Sequence, residues 1–316
     1  MTAPARHPQA DAPLAQRLWL YQAERFPLLK TSILLAVFSS ASISVSAQLA
    51  ARPLPPFVTF AFIWLVTVII FFQMRACDEW KDFEDDRRFR PERPIPSGLV
   101  SLRLVLGLAG VGGLIALGLT ASVSTALILP LAFVWAWLAL MTFEFFAPDW
   151  LKARPFLYLV SHMAIMPLID LFVTAAEWLP AGFSPPQGLW LFLLLSFTNG
   201  CVLEIGRKVW APGSEREGVE TYSALLGPRR AAWVWLTLCG FAWLLLAGVG
   251  HFVGALFIVA GPGLLALAAI GWVARSFIAE PTPARQKKVD TTAGLWVFVC
   301  YCLAGFAPLL KHWMAA

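Results

Sequence analysis

The residues best equipped for chemistry lie between two long apolar runs, in the stretch Asp78-Glu79-Trp80-Lys81-Asp82-Phe83-Glu84-Asp85-Asp86-Arg87-Arg88-Phe89-Arg90-Pro91-Glu92-Arg93-Pro94-Ile95-Pro96-Ser97-Gly98. Seven of the chain's 19 acidic residues fall here, and carboxylates crowded beside hydrocarbon repel one another unless a cation holds them. If the preceding helix continues past Cys77, then Glu79, Asp82 and Asp86 fall at i, i+3 and i+7, and Asp78, Asp82 and Asp86 at i, i+4 and i+8. Either set shares one helical face. Such a face suits magnesium, which keeps several waters and bridges protein carboxylates to substrate phosphates. Downstream, Arg87, Arg88, Arg90 and Arg93 supply forked donors that match phosphate geometry. Pro94 to Gly98 then makes a rigid turn, with Ser97 as a cap for the next helix. The bland alternative is a solvated charge cluster that only anchors a span.

The elements that must position these groups are membrane helices. At 316 residues, with 59% hydrophobic and 14% charged residues and a mean hydropathy of +0.71, the chain has too little polar surface to cover a water-soluble globule. Apolar runs of spanning length occur at about 28–50, 56–77, 99–121, 124–146, 156–178, 187–208, 230–249, 252–277 and 292–313. The expected fold class is therefore an all-α polytopic membrane protein of about nine transmembrane helices, with a leader at 1–27 and a single transmembrane unit over 28–316.

Lys and Arg gather on the cytoplasmic side of membrane proteins. With the N-terminus cytoplasmic, all of the 24 basic residues except Arg52 and Lys311 fall in the leader or in inner loops. This predicts a multi-pass protein of the inner (cytoplasmic) membrane. The net charge of +5 then belongs to a membrane-facing side, and no basic stripe stands free for nucleic acid. The leader lacks the apolar core and cleavage site of a secretory signal, so it is expected to stay attached. The five cysteines sit in or beside apolar runs, where they act as small hydrophobes.

The first polar loop resembles the first aspartate-rich motif of the UbiA superfamily of membrane prenyltransferases, N-D-x-x-D-x-x-x-D ending in R-P-L-P-S-G. Asp78 takes the asparagine place and Glu79 the first aspartate, while Asp82 and Asp86 match as they stand. Arg93-Pro94-Ile95-Pro96-Ser97-Gly98 differs by one conservative change. The resemblance implies a nine-helix fold and a magnesium-dependent enzyme. Such an enzyme moves an isoprenyl group from an allylic prenyl diphosphate to an acceptor, most often an aromatic or quinone precursor, through an allylic carbocation. It also implies metal binding by Asp78, Glu79, Asp82, Asp86 and Glu204, diphosphate neutralisation by Arg88, Arg93, Lys152, Arg207 and Lys208, and catalytic importance for Asp82, Asp86 and Arg93.

The family's second motif is expected after the sixth span. Gly218-Val219-Glu220-Thr221 and Leu226-Gly227 fit its tail, but its aspartates are missing, and Glu204 alone takes a helical acid position. Arg207 and Lys208 follow one turn later, so Glu204 either holds metal or pairs with Lys208 at i+4. Glu215 and Glu217 are further carboxylates in that loop. Lys152 resembles the family's short basic element between the fourth and fifth spans, with Arg154 displaced from the usual pairing. Glu144, at the inner end of the fourth span, faces the same mouth. His162 and Asp170 lie on the fifth span at i and i+8; His162 either bonds a neighbouring helix or orients an acceptor. A rival from another class is a divalent-cation transporter with an acidic vestibule. That reading requires ionisable residues at mid-depth in several helices, where this chain has few.

Overall fold

The computed structural model describes residues 7–310, all as helices, turns and irregular segments; Arg6 and Lys311 of the basic-residue pattern lie outside them. Ahead of the spans, α1 (Leu14–Arg25) is a short amphipathic helix with Trp19 exposed and Tyr21 buried. The spans begin with α2 (Leu28–Leu49), α3 (Phe57–Lys81), α5 (Leu102–Val123) and α6 (Ile128–Thr142), and α4 (Phe83–Phe89) carries the charged loop away from α3. After the five-residue α7 (Pro148–Lys152), the fifth span is divided into α8 (Pro155–Met163) and α9 (Ile165–Trp178). The others are α10 (Leu189–Arg207), α12 (Pro228–Phe252), α13 (Leu256–Ala279) and α14 (Pro283–Gly305), with α11 (Tyr222–Leu226) in the second polar loop. Nine helical stretches among the described residues are long and apolar enough to cross a bilayer.

The boundaries have local causes. Pro148, Pro155, Pro228 and Pro283 open their helices, at the position where a missing N–H costs nothing. The break at Ala164 follows from Pro167, which cannot bond the carbonyl four residues earlier at Met163 and crowds it, so α8 ends there. The third span is capped by Ser101, whose side chain accepts from Leu104 N at 3.2 Å, and not by Ser97, whose hydroxyl instead donates back to the Arg93 carbonyl at 2.7 Å. The last helix starts about nine residues before the apolar run at 292, because Pro283 and the good helix formers after it extend it into polar surroundings.

Spans α2, α9, α10 and α14 form the inner bundle, with α3, α6 and α12 packed around it and α5 and α13 on the flanks. Glycine permits the tightest approaches. A side chain on Gly206 of α10 would meet Ala293 of α14 at 2.5 Å, and one on Gly305 would meet the Ala41 backbone at 2.5 Å. A second, smaller core clamps the charged loop: Ile95, Leu99 and Val100 pack with Tyr21, Ala76, Val105 and Ala109. Arg17 adds a hydrogen bond to the Leu99 carbonyl at 2.6 Å.

Candidate functional site

The charged loop does not present its four acids on one face. α3 runs on past Cys77 as the spacing predicts, but it stops at Lys81, and Asp82 (φ −90°, ψ 6°) turns the chain into α4. The kink sorts the carboxylates into two pairs. Glu79 is buried and receives Arg25 Nε of α1 at 2.6 Å. That pairing holds the Arg25 guanidinium up even though burial pulls the other way. Asp86, also buried, is gripped by Arg93 Nη1 at 2.6 and 2.7 Å and by Arg90 at 3.2 Å. Both carboxylates are thereby neutralised within the protein.

Asp78 and Asp82 are left facing the mouth. Asp78 is half exposed, with Arg75 only loosely near at 3.9 Å, and it lies within electrostatic reach of Asp82 and of Glu204 on α10. Burial pushes the Asp82 carboxyl above the ordinary carboxylate range; the Lys81 ammonium opposes this and the Asp86 charge adds to it. A divalent cation beside such a carboxylate would offset what burial costs its charge. Among the described residues no three Asp, Glu, His or Cys side chains close into a metal cage. Magnesium does not require one, since one or two carboxylates with waters and substrate phosphates complete its octahedron. The hard oxygen donors of Asp78, Asp82 and Glu204 fit that mode.

The basic groups separate similarly. Lys208 Nζ reaches Glu204 Oε1 at 2.8 Å, the i, i+4 pair, with both ends partly exposed. Arg207 and Lys152 are exposed, and Arg88 is exposed with its guanidinium over the Phe89 ring at 4.9 Å. Arg154 instead lies over Trp150 at 4.4 Å. In the second polar loop, Glu215 accepts the Thr221 hydroxyl at 2.8 and 2.9 Å while Thr221 caps α11, so this carboxylate shapes the loop. Glu217 is exposed. Gly218 (φ +75°) lies flat against the Phe89 ring, where an added Cβ would stand 2.8 Å from it. The two charged loops therefore touch.

Sequence reasoning passed over the partners of Glu144. Lys81 Nζ donates to the Tyr158 hydroxyl at 2.8 Å and stands 3.4 Å from Glu144 Oε1, and the Tyr158 hydroxyl donates to Glu144 Oε1 at 3.1 Å. The Tyr158 ring stacks on His162 at 3.8 Å. Glu144, Phe145 and Phe146 form a left-handed turn, with φ of 49°, 52° and 58°, a conformation costing roughly 1–2 kcal/mol for each residue bearing a side chain. Glu144 at the end of a span and His162 on the next one signalled two members of this cluster, but not Lys81 or Tyr158, and nothing in three residues without glycine announces a left-handed turn. Far from the mouth, fully buried Asp170 accepts Ser42 Oγ and the Tyr301 hydroxyl, both at 2.6 Å. Glu177 pairs with Arg52 at 2.6 Å and accepts Ser46 Oγ at 2.7 Å.

Among the described residues the fold is that of a polytopic helical membrane protein with nine candidate spans. Residues 36–299 match the model of the UbiA prenyltransferase family, and the chain belongs to that family of membrane enzymes. Among solved structures, it is similar to a UbiA homologue from Aeropyrum pernix K1, with a TM-score of 0.67 and 18% identity over 88% of this chain and 98% of that one. It is also similar to digeranylgeranylglyceryl phosphate synthase, with a TM-score of 0.60 and 15% identity over 92% of this chain and 98% of that one. A third is a UbiA homologue from Archaeoglobus fulgidus bound to GPP and Mg2+, with a TM-score of 0.54 and 12% identity over 88% and 98%. No curated protein sequence matches the chain.

Proposed function

We propose that this enzyme transfers an isoprenyl group from an allylic prenyl diphosphate to an electron-rich acceptor, aromatic or quinone-precursor in kind, with magnesium as cofactor. Its mouth would open to the cytoplasm at the inner membrane. The observation that supports the reading is that Asp78 lies within electrostatic reach of Asp82 on the α3 side and of Glu204 on α10, with Lys208 beside Glu204.

When bound there, magnesium supplies Lewis-acid stabilisation of the departing diphosphate. Asp78 and Asp82 would hold it from the α3 side and Glu204 from α10. Lys152 and Arg207, free of carboxylate partners in the described contacts, would neutralise the charge that grows on the leaving group, with Arg88 and Lys208 beside them. Glu79, paired with Arg25, and Asp86, paired with Arg93, act one step back: they fix the loop on which Asp82 turns. The hydrocarbon tail would run between helices toward lipid, and the apolar walls would keep water from the allylic cation until the acceptor captures it.

The test is equilibrium binding of geranyl, farnesyl and longer prenyl diphosphates to purified protein, with magnesium and with chelator. Magnesium-dependent binding that favours one chain length is the expected result. Divalent-cation binding without affinity for any diphosphate would overturn the reading in favour of cation transport.

A further inference from the structure

At the end of the bundle away from the mouth, a cavity of about 350 Å³ opens between the α2–α3 turn, α9 and the segment that follows α9. Its wall includes Thr59 of α3, and α3 also carries Asp78 of the mouth; at 1.5 Å per residue the two stand roughly 28 Å apart. That is close to the thickness of a bilayer's hydrocarbon core, so the cavity lies at the headgroup level of the leaflet away from the mouth. Arg52 and Glu177 both line it. Arg52 Nε donates to Glu177 Oε1 at 2.6 Å and Nη2 to Oε2 at 2.9 Å, and Ser46 Oγ donates to Oε2 at 2.7 Å. The Phe183 ring covers the guanidinium at 4.8 Å. The turn that presents Arg52 is left-handed at Ala51 (φ 52°) and is closed by Arg52 N on the Ala47 carbonyl at 2.9 Å. The guanidinium is thus fixed from three sides. Both hydrogens of Nη1 remain without an acceptor among the described residues.

Apolar side chains of similar size would join these elements at least as firmly as a buried ion pair does, so the charges point to a use. We infer that the cavity binds the phosphodiester of a bilayer glycerophospholipid. Nη1 offers a fixed cationic donor edge that matches a phosphate oxygen, and the Thr59 hydroxyl lines the same cavity. Glu177 already balances the Arg52 charge, which limits what can enter. A phosphodiester brings a single negative charge, whereas a phosphate monoester carries nearly two and would be repelled by the Glu177 carboxylate. Pro53, Leu54, Pro56 and Val123 supply apolar wall, which suits the glycerol and its ester arms and does not suit a hydrated free anion. The volume is at the lower end of small-molecule sites. Headgroup and glycerol occupy it, and the acyl chains stay outside in the bilayer.

Equilibrium binding of dihexanoylphosphatidylglycerol to the full, delipidated chain in dodecyl maltoside tests this, beside dihexanoylglycerol, which lacks the phosphate. The phosphodiester lipid is expected to bind about tenfold more tightly, the effect of one charge-assisted hydrogen bond, and excess inorganic phosphate should not displace it. The advantage should vanish in the paired variant Arg52→Gln with Glu177→Gln, which keeps the buried contact neutral and hydrogen-bonded. It should vanish equally in Ala181→Trp, which fills the cavity from an exposed turn and leaves the ion pair in place. Melting transitions show which variants are folded. Equal binding of the two lipids to the unaltered protein would reduce the cavity to an apolar crevice and overturn the inference. Displacement by inorganic phosphate, which marks a free-anion site, also overturns it, and so does an advantage that survives in either folded variant.

Discussion

Asp82 and Asp86 occupy one motif and sit in different surroundings. Asp86 balances two guanidiniums in a buried pocket, and removing one partner from such an arrangement costs about 3 kcal/mol or more because the remaining charge is stranded. The Asp82 side chain makes no capping hydrogen bond to α4, and burial already disfavours its charge. Asp86→Asn is therefore expected to lower the thermal midpoint in detergent by several degrees. Asp82→Asn should leave the midpoint nearly unchanged and abolish magnesium-dependent diphosphate binding. Parallel melting and binding curves decide it, and equal melting losses would mean that the kink at Asp82 does not separate the two roles. Arg25 belongs to the same logic. Arg25→Ala strands buried Glu79 and should cost about 3 kcal/mol, whereas Arg25→Ala with Glu79→Gln should recover most of that loss; a double variant as unstable as the single one would show that Arg25 matters only through its packing.

At the scale of elements, the site depends on a touch between loops that are far apart in sequence. Gly218 needs its positive φ and also its bare Cα, since the Phe89 ring fills the place of a Cβ. Gly218→Ala should therefore part the loops and weaken diphosphate binding by about five- to thirtyfold, the equivalent of the roughly 1–2 kcal/mol that the backbone strain alone imposes; an unchanged Kd would mean that the contact is incidental. This glycine was legible in the sequence as the head of Gly218-Val219-Glu220-Thr221, and the nine spans were legible because hydropathy and length are local properties. What stayed hidden depends on distant partners. The separation of Glu79 from Asp82 needs Arg25, 54 residues upstream, and the importance of Lys81 needs Tyr158, 77 residues downstream. The left-handed turn carries no residue that favours it, so only the packing that holds it could reveal it.

Across the whole molecule, charge is distributed very unevenly. Apart from the mouth and the exposed Asp290 near the start of α14, the carboxylates of the described spans are Asp170 and Glu177, and each is tied down by hydroxyls or by Arg52. The serines of α2, Ser42 and Ser46, thus serve as internal solvent for acids that the bilayer could not solvate. A charge that crosses the membrane collects about 2.3 kcal/mol for each 100 mV of potential, and among the described residues the two acids set deep in the bundle are both held by partners and not free to collect it. The enzyme should accordingly be blind to the electrical state of its membrane. Turnover in sealed vesicles is expected to stay the same when an ionophore collapses the gradient, and a rate that follows the voltage would mean that Asp170 or Glu177 trades its bound hydroxyls for a travelling proton.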